Sequence, residues 1–175
     1  MGGGKPEGAF VPKKEDVVPP CAVKTLPVYD GDVFDLGGVQ IEAIAVPGHT
    51  AGTMVYLDRA RRVLYSGDAC NANTLLGLPC STTVETYAKS LDHLAAYLKG
   101  IDEFYGGHGL PAVPPRIVGE AQTLCKEILN RTDDKFEMEF LGRKFLYARK
   151  FDGMFRRTDG GIANIAYVME KVYNK

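Results

Sequence analysis

Three short stretches of this 175-residue chain set an ionisable side chain of ligand type among glycines, each directly after a β-rich run. They are Val46-Pro47-Gly48-His49-Thr50-Ala51-Gly52-Thr53, Tyr65-Ser66-Gly67-Asp68-Ala69 and Tyr105-Gly106-Gly107-His108-Gly109. Loops at strand ends are where α/β proteins assemble sites, because a rigid sheet positions them. Glycine admits unusual backbone angles there and lets a ligand come close. Each stretch alone says little, since a lone histidine after a strand is more often structural and a Gly-Asp pair is usually a turn. The order carries the weight: Asp68 comes nineteen positions after His49, and His108 forty positions after Asp68.

The elements that must position these residues follow from periodicity and turn chemistry. Asp30-Gly31-Asp32 and Leu36-Gly37-Gly38 signal turns. Residues 39–46 (VQIEAIAV) read as a strand, alternating at first and then apolar on both sides. Residues 53–57 and 62–65 are short β-rich runs around a polar loop, which predicts a hairpin. Val84, Tyr87, Leu91, Leu94 and Leu98 form one helical stripe, with Thr82 and Glu85 spaced as a capping box and Gly100 as a stop. Residues 103–105 read as a short strand. A second helix opens at Pro115, with Val118, Ala121, Cys125 and Ile128 inward. From Phe136 the chain is β-like, chiefly over 144–149 and 162–168, with a turn at Asp159-Gly160-Gly161. The order of strands, helix, strand, helix and strands makes the fold class α/β with a mixed β-sheet, not a regular βαβ repeat.

Composition bounds the partners. The length suits one domain, with 45% hydrophobic and 25% charged residues, enough to bury a core. A formal net charge of −1 gives no global pull toward nucleic acid or an anionic membrane, and no apolar run approaches the length of a membrane span. The start, MGGGKPEGAF, lacks the apolar stretch of a secretory signal, which leads to an expected cytoplasmic location unless a preceding segment carries one. Residues 1–25 read as a flexible arm rich in Gly, Pro and Lys, and 26–175 as the folded unit. Cys21, Cys70, Cys80 and Cys125 form no C-x-x-C pair; they read as reduced thiols, with Cys70 a small buried hydrophobe.

The three stretches resemble the later metal motifs of the metallo-β-lactamase-fold superfamily of hydrolases. PGHTAGT is similar to the third ligand motif, LYSGDA to the fourth and YGGHG to the last; TYAKSLDHL resembles the helix between the last two, and GGIANIAY a closing strand. The resemblance runs from about Leu26 to the C-terminus. It implies half of an αβ/βα sandwich, a mixed β-sheet with helices on one face, with His49 completing the first metal's imidazole set, Asp68 bridging two metals as the catalytic carboxylate, and His108 binding the second. Imidazole and carboxylate suit Zn²⁺, and two zinc ions per complete site are implied. Such a pair acidifies a shared water and polarises the substrate oxygen.

The family's first motif, H-x-H-x-D-H, is absent: the only histidines are His49, His93 and His108, and His93 lies off the helical stripe as a surface residue. The sequence thus resembles only the C-terminal half of the domain, as a truncated reading or a natural half. The expectation is a zinc-dependent hydrolase domain, incomplete and inactive alone, acting if completed on a small ester, thioester or lactone. The alternative is a non-catalytic scaffold or interaction protein that retains the half-fold. Only 39 residues separate Asp68 from His108, which argues against the branch of nucleases that insert a large domain there. An uncovered sheet face should drive self-association or binding of a complementary N-terminal half.

Overall fold

A computed structural model describes residues 13–107, 111–140, 142–153 and 156–174. Beyond a short 3-10 helix at Lys14–Asp16, residues 17–27 form no regular element and are exposed. The strand run at 39–46 becomes β2 (Gln40–Ala45). The two turns before it enclose a further strand, β1 (Val33–Asp35), antiparallel to β2. The expected hairpin is β3 (Met54–Asp58) and β4 (Val63–Gly67). A two-residue strand, β5 (Thr74–Leu75), follows in the loop after Asp68 and pairs elsewhere. After helix α1 (Val84–Ala95), strand β6 (Glu103–Gly106) adds parallel to β4, giving a five-stranded mixed sheet in the order β1-β2-β3-β4-β6.

Period-2 alternation decides the faces of this sheet. Val55, Leu57, Leu64 and Phe104 point inward and are fully buried, in one cluster with Tyr87, Leu91 and Leu94 of α1 and Ile117, Val118, Ala121 and Leu124 of helix α2 (Arg116–Asn130). On the opposite face Tyr56, Tyr65 and Tyr105 stand side by side in register, 37–42% exposed.

The cap of α1 differs from the expected Thr82–Glu85 box. Thr83 is the N-cap, its hydroxyl accepting the Thr86 N–H at 3.1 Å. Thr82 instead donates to the Gly48 carbonyl, and the Glu85 carboxylate takes the Asn174 N–H. Tertiary partners outcompete the local box at both residues. The helix proper ends before the expected stop: Ala96, Tyr97 and Leu98 continue as tight turns bonded three residues back, and Gly100 reverses the chain at φ 81°.

The C-terminal strands do not extend the first sheet. Strands β7 (Phe136–Phe140), β8 (Arg143–Tyr147) and β9 (Ile165–Tyr167) form a second sheet with β5, in the order β5-β9-β8-β7. The mixed α/β architecture expected from the sequence thus comprises two sheets, because β5 pairs parallel with β9 about ninety residues later and commits the C-terminal strands to its own edge. No described helix is long and apolar enough to cross a membrane.

Candidate metal centre

Strands β2, β4 and β6 run in the same direction, since β3 is antiparallel to both β2 and β4 while β6 is parallel to β4. Their C-terminal ends therefore share one edge of the sheet. The loop after β2 carries His49, the loop after β4 carries Asp68, and β6 runs into Gly107. The register between β4 and β6 slips after Tyr65, which places Gly67 opposite Gly106. With no side chain on either, the two turns close on each other, and the Gly107 N–H donates to the Gly67 carbonyl at 3.0 Å. Gly67 itself sits at φ 51°, a conformation that favours glycine.

The structure brings His49 and Asp68 together, with His49 Nε2 3.9 Å from Asp68 Oδ2 and both side chains partly exposed. His49 Nδ1 lies 3.0 Å from the Leu75 carbonyl on β5. A carbonyl oxygen can only accept, so Nδ1 carries a hydrogen and Nε2, the nitrogen that faces Asp68, is the one open to a cation. An outer hydrogen bond of this kind orients histidine ligands in metal sites. Ser81 reinforces it, its hydroxyl donating to the His49 carbonyl at 2.8 Å and reaching the Leu75 carbonyl at 3.4 Å.

Asp68 is held from the following turn. The Asn71 amide donates to Asp68 Oδ1 at 3.3 Å, while Asn71 Oδ1 accepts the Asn73 N–H at 2.8 Å. Across the edge, Gly107 approaches so closely that a Cβ there would lie 2.8 Å from Asp68 Oδ1. The first loop is equally tight: a Cβ at Gly48 would lie 2.4 Å from the Tyr87 ring. An imidazole lone pair beside a carboxylate is a donor set that fits a transition-type cation. Among the described residues no group of three or more His, Cys, Asp or Glu is placed to hold a metal ion, and His108 lies outside those residues.

His93 stands apart from this edge, on the surface of α1, with Nε2 3.1 Å from Asp30 Oδ1 and its ring edge-on to Tyr97. Cys70 is buried beside the Asp68 turn, where burial pushes its thiol up to about 12 and leaves it a packing residue; all four cysteines are free thiols. Sequence reasoning missed Leu75, Ser81 and Asn71. The run Asn71-Ala72-Asn73 signals a turn and could have drawn attention to Asn71. A main-chain carbonyl such as that of Leu75 leaves no trace in residue type.

The model of the metallo-beta-lactamase superfamily matches residues 5–111. The hydroxyacylglutathione hydrolase of Brucella anthropi is 37% identical over 101 residues, covering 55% of this chain and 36% of that enzyme. The acyl-coenzyme A thioesterase MBLAC2 of Homo sapiens is 31% identical over 70 residues, covering 40% of this chain and 25% of that protein. The chain thus spans about a third or less of the length of these relatives. Among solved structures, a metallo-beta-lactamase family protein from Thermus thermophilus aligns over 62% of this chain and 38% of its own, with a TM-score of 0.51 and 24% identity, a likeness of fold alone. A family model covering more than half of the residues settles the affiliation: the chain belongs to the metallo-beta-lactamase superfamily.

Proposed function

We propose that this chain carries the later ligands of a zinc-dependent hydrolase site acting on thioesters, and that it needs further ligands to turn over. The observation that carries this reading is the pairing of His49 and Asp68, with the ring tautomer fixed by the Leu75 carbonyl so that Nε2 faces the carboxylate at 3.9 Å. His49, Asp68 and His108 would be the ligands that this chain supplies to zinc. Bound zinc supplies Lewis-acid polarisation of the acyl oxygen and lowers the pKa of a water. The protein's part is orientation: Leu75 and Ser81 fix the imidazole loop, and Asn71 steadies one carboxylate oxygen. Thioesters are favoured as the substrate class because a hydroxyacylglutathione hydrolase and an acyl-coenzyme A thioesterase are both among the relatives.

The test is zinc uptake and turnover by the purified chain. Zinc should bind weakly, and more weakly still in His49→Ala and Asp68→Ala. Hydrolysis of thioester, lactone and β-lactam substrates should be negligible even with zinc added. Uptake equal in all three proteins, or absent from all, would overturn the ligand assignment. Robust turnover that disappears in Asp68→Ala would overturn the claim that the site is incomplete.

A further inference from the structure

The two ligand loops leave different strands, yet they meet the same side chain of α1. Tyr87 sits in the first turns of that helix and is fully buried. Its ring lies against Gly48, one residue before His49, so closely that a Cβ there would come within 2.4 Å of it. Its hydroxyl donates to the carbonyl of Ala69, one residue after Asp68, at 2.7 Å. We infer that Tyr87 is a positioning residue, a strut that sets the spacing of the His49 and Asp68 loops; the inference rests on the metal-ligand reading above.

The hydroxyl needs an explanation that packing does not supply. At this position of the apolar stripe a phenylalanine would fill the same core. A buried hydroxyl is costly unless it has partners; the Ala69 carbonyl accepts from it, and the Thr74 and Cys70 side chains of the same turn also hydrogen-bond with it. Burial pushes the phenol well above its ordinary range, so it remains a donor throughout the neutral range. The side chain has only two torsions, and its ring is locked in the main core cluster, so movement of one loop is transmitted to the other. Ser90, three residues along the same helix, offers an internal comparison. Its hydroxyl donates to the Pro47 carbonyl at 2.7 Å and so pins the first loop alone.

Amide hydrogen exchange of the full chain, read as peptides by mass spectrometry, tests the strut without any metal. Tyr87→Phe keeps the ring under Gly48 and removes only the hydroxyl. Exchange should accelerate several-fold in residues 66–71 and also in 47–51, with the inner strands still protected. Ser90→Ala should accelerate 47–51 only. Zinc titration gives the second readout: affinity should fall about tenfold in Tyr87→Phe, the scale expected when an outer-shell partner is lost. Unchanged exchange in 66–71, acceleration spread evenly over the chain, or unaltered zinc affinity in Tyr87→Phe would overturn the proposal. A wild-type chain that takes up no zinc would overturn the metal reading instead, and the exchange comparison would then decide the strut by itself.

Discussion

Two glycines at the candidate site leave an added methyl group in collision with different neighbours, and the difference can be measured. At position 107 the added Cβ would meet Oδ1 of Asp68 at 2.8 Å, the end of a side chain that can rotate away. Gly107→Ala should therefore fold normally. A loop Gly→Ala change at a compatible φ lowers unfolded-state entropy, so stability should hold or rise by about 0.5 kcal/mol. Zinc affinity should nevertheless fall about tenfold, because the carboxylate is displaced from the imidazole. At position 48 the added Cβ would meet the buried Tyr87 ring at 2.4 Å, and that ring has nowhere to go. Gly48→Ala should cost about 1–3 kcal/mol by overpacking. Thermal unfolding paired with zinc titration separates the two cases. Equal loss of stability in both variants would show that the Asp68 carboxylate is as immobile as the core.

Among the elements, the long loop between β8 and β9 is held to α2 by charge, and this gives a pH dependence. Glu120 accepts the N–H groups of Ile162 and Ala163, Arg157 donates to the Ala163 carbonyl, and Arg149 pairs with Glu127. Asp159 is held down to about 2, chiefly by its hydrogen bond from Arg157 and further by the Gly161 N–H. A depressed folded-state pKa adds stability that is fully present above the unfolded value, about 3.9, and is lost as pH falls toward 2. Wild type should therefore exceed Asp159→Asn in thermal stability at pH 6, by no more than about 1 kcal/mol for so exposed a carboxylate, and the gap should shrink steadily as pH falls through 2. A gap as large at pH 2 as at pH 6 would assign the effect to packing rather than charge. The sequence made the strong elements legible where a period was long enough to count, as in the α1 stripe from Val84 to Leu94 and the alternation of β3 and β4. It did not reveal β5: two residues carry no period, and their pairing with β9 depends on a contact some ninety positions away. It misplaced the α1 cap by one residue because Thr82 and Thr83 are chemically alike, and only the approach of Gly48 and Asn174 distinguishes them. Likewise His49 and Asp68 stood out by type and spacing, whereas the carbonyl that fixes the imidazole has no side-chain signature.

For the molecule as a whole, the outer face of the five-stranded sheet decides how the isolated chain should behave in solution. Phe34, Tyr56, Tyr65 and Tyr105 span four of its strands and are each 37–42% exposed. The C-terminal strands leave this face open, because β5 recruits them into a separate sheet. Aromatic side chains bury ~150–250 Å² each, so these four expose roughly 250–400 Å² together. At ~25 cal/mol per Å², covering that area on two copies returns roughly 12–20 kcal/mol. Association itself costs ~4–15 kcal/mol, and an interface of roughly 500–800 Å² falls short of the ~1,000 Å² typical of a stable pair. The balance favours a weak, reversible dimer in which a second copy covers the same face, and a two-fold arrangement is the commonest closed solution. Sedimentation velocity should show the average mass rising with concentration at roughly 1–100 µM, the regime of a small interface. The double variant Tyr65→Lys, Tyr105→Lys should remain monomeric over the same range with its far-ultraviolet circular dichroism unchanged. A wild type that stays monomeric throughout and unfolds cooperatively would show that this aromatic row tolerates water, and that the face has no need of cover.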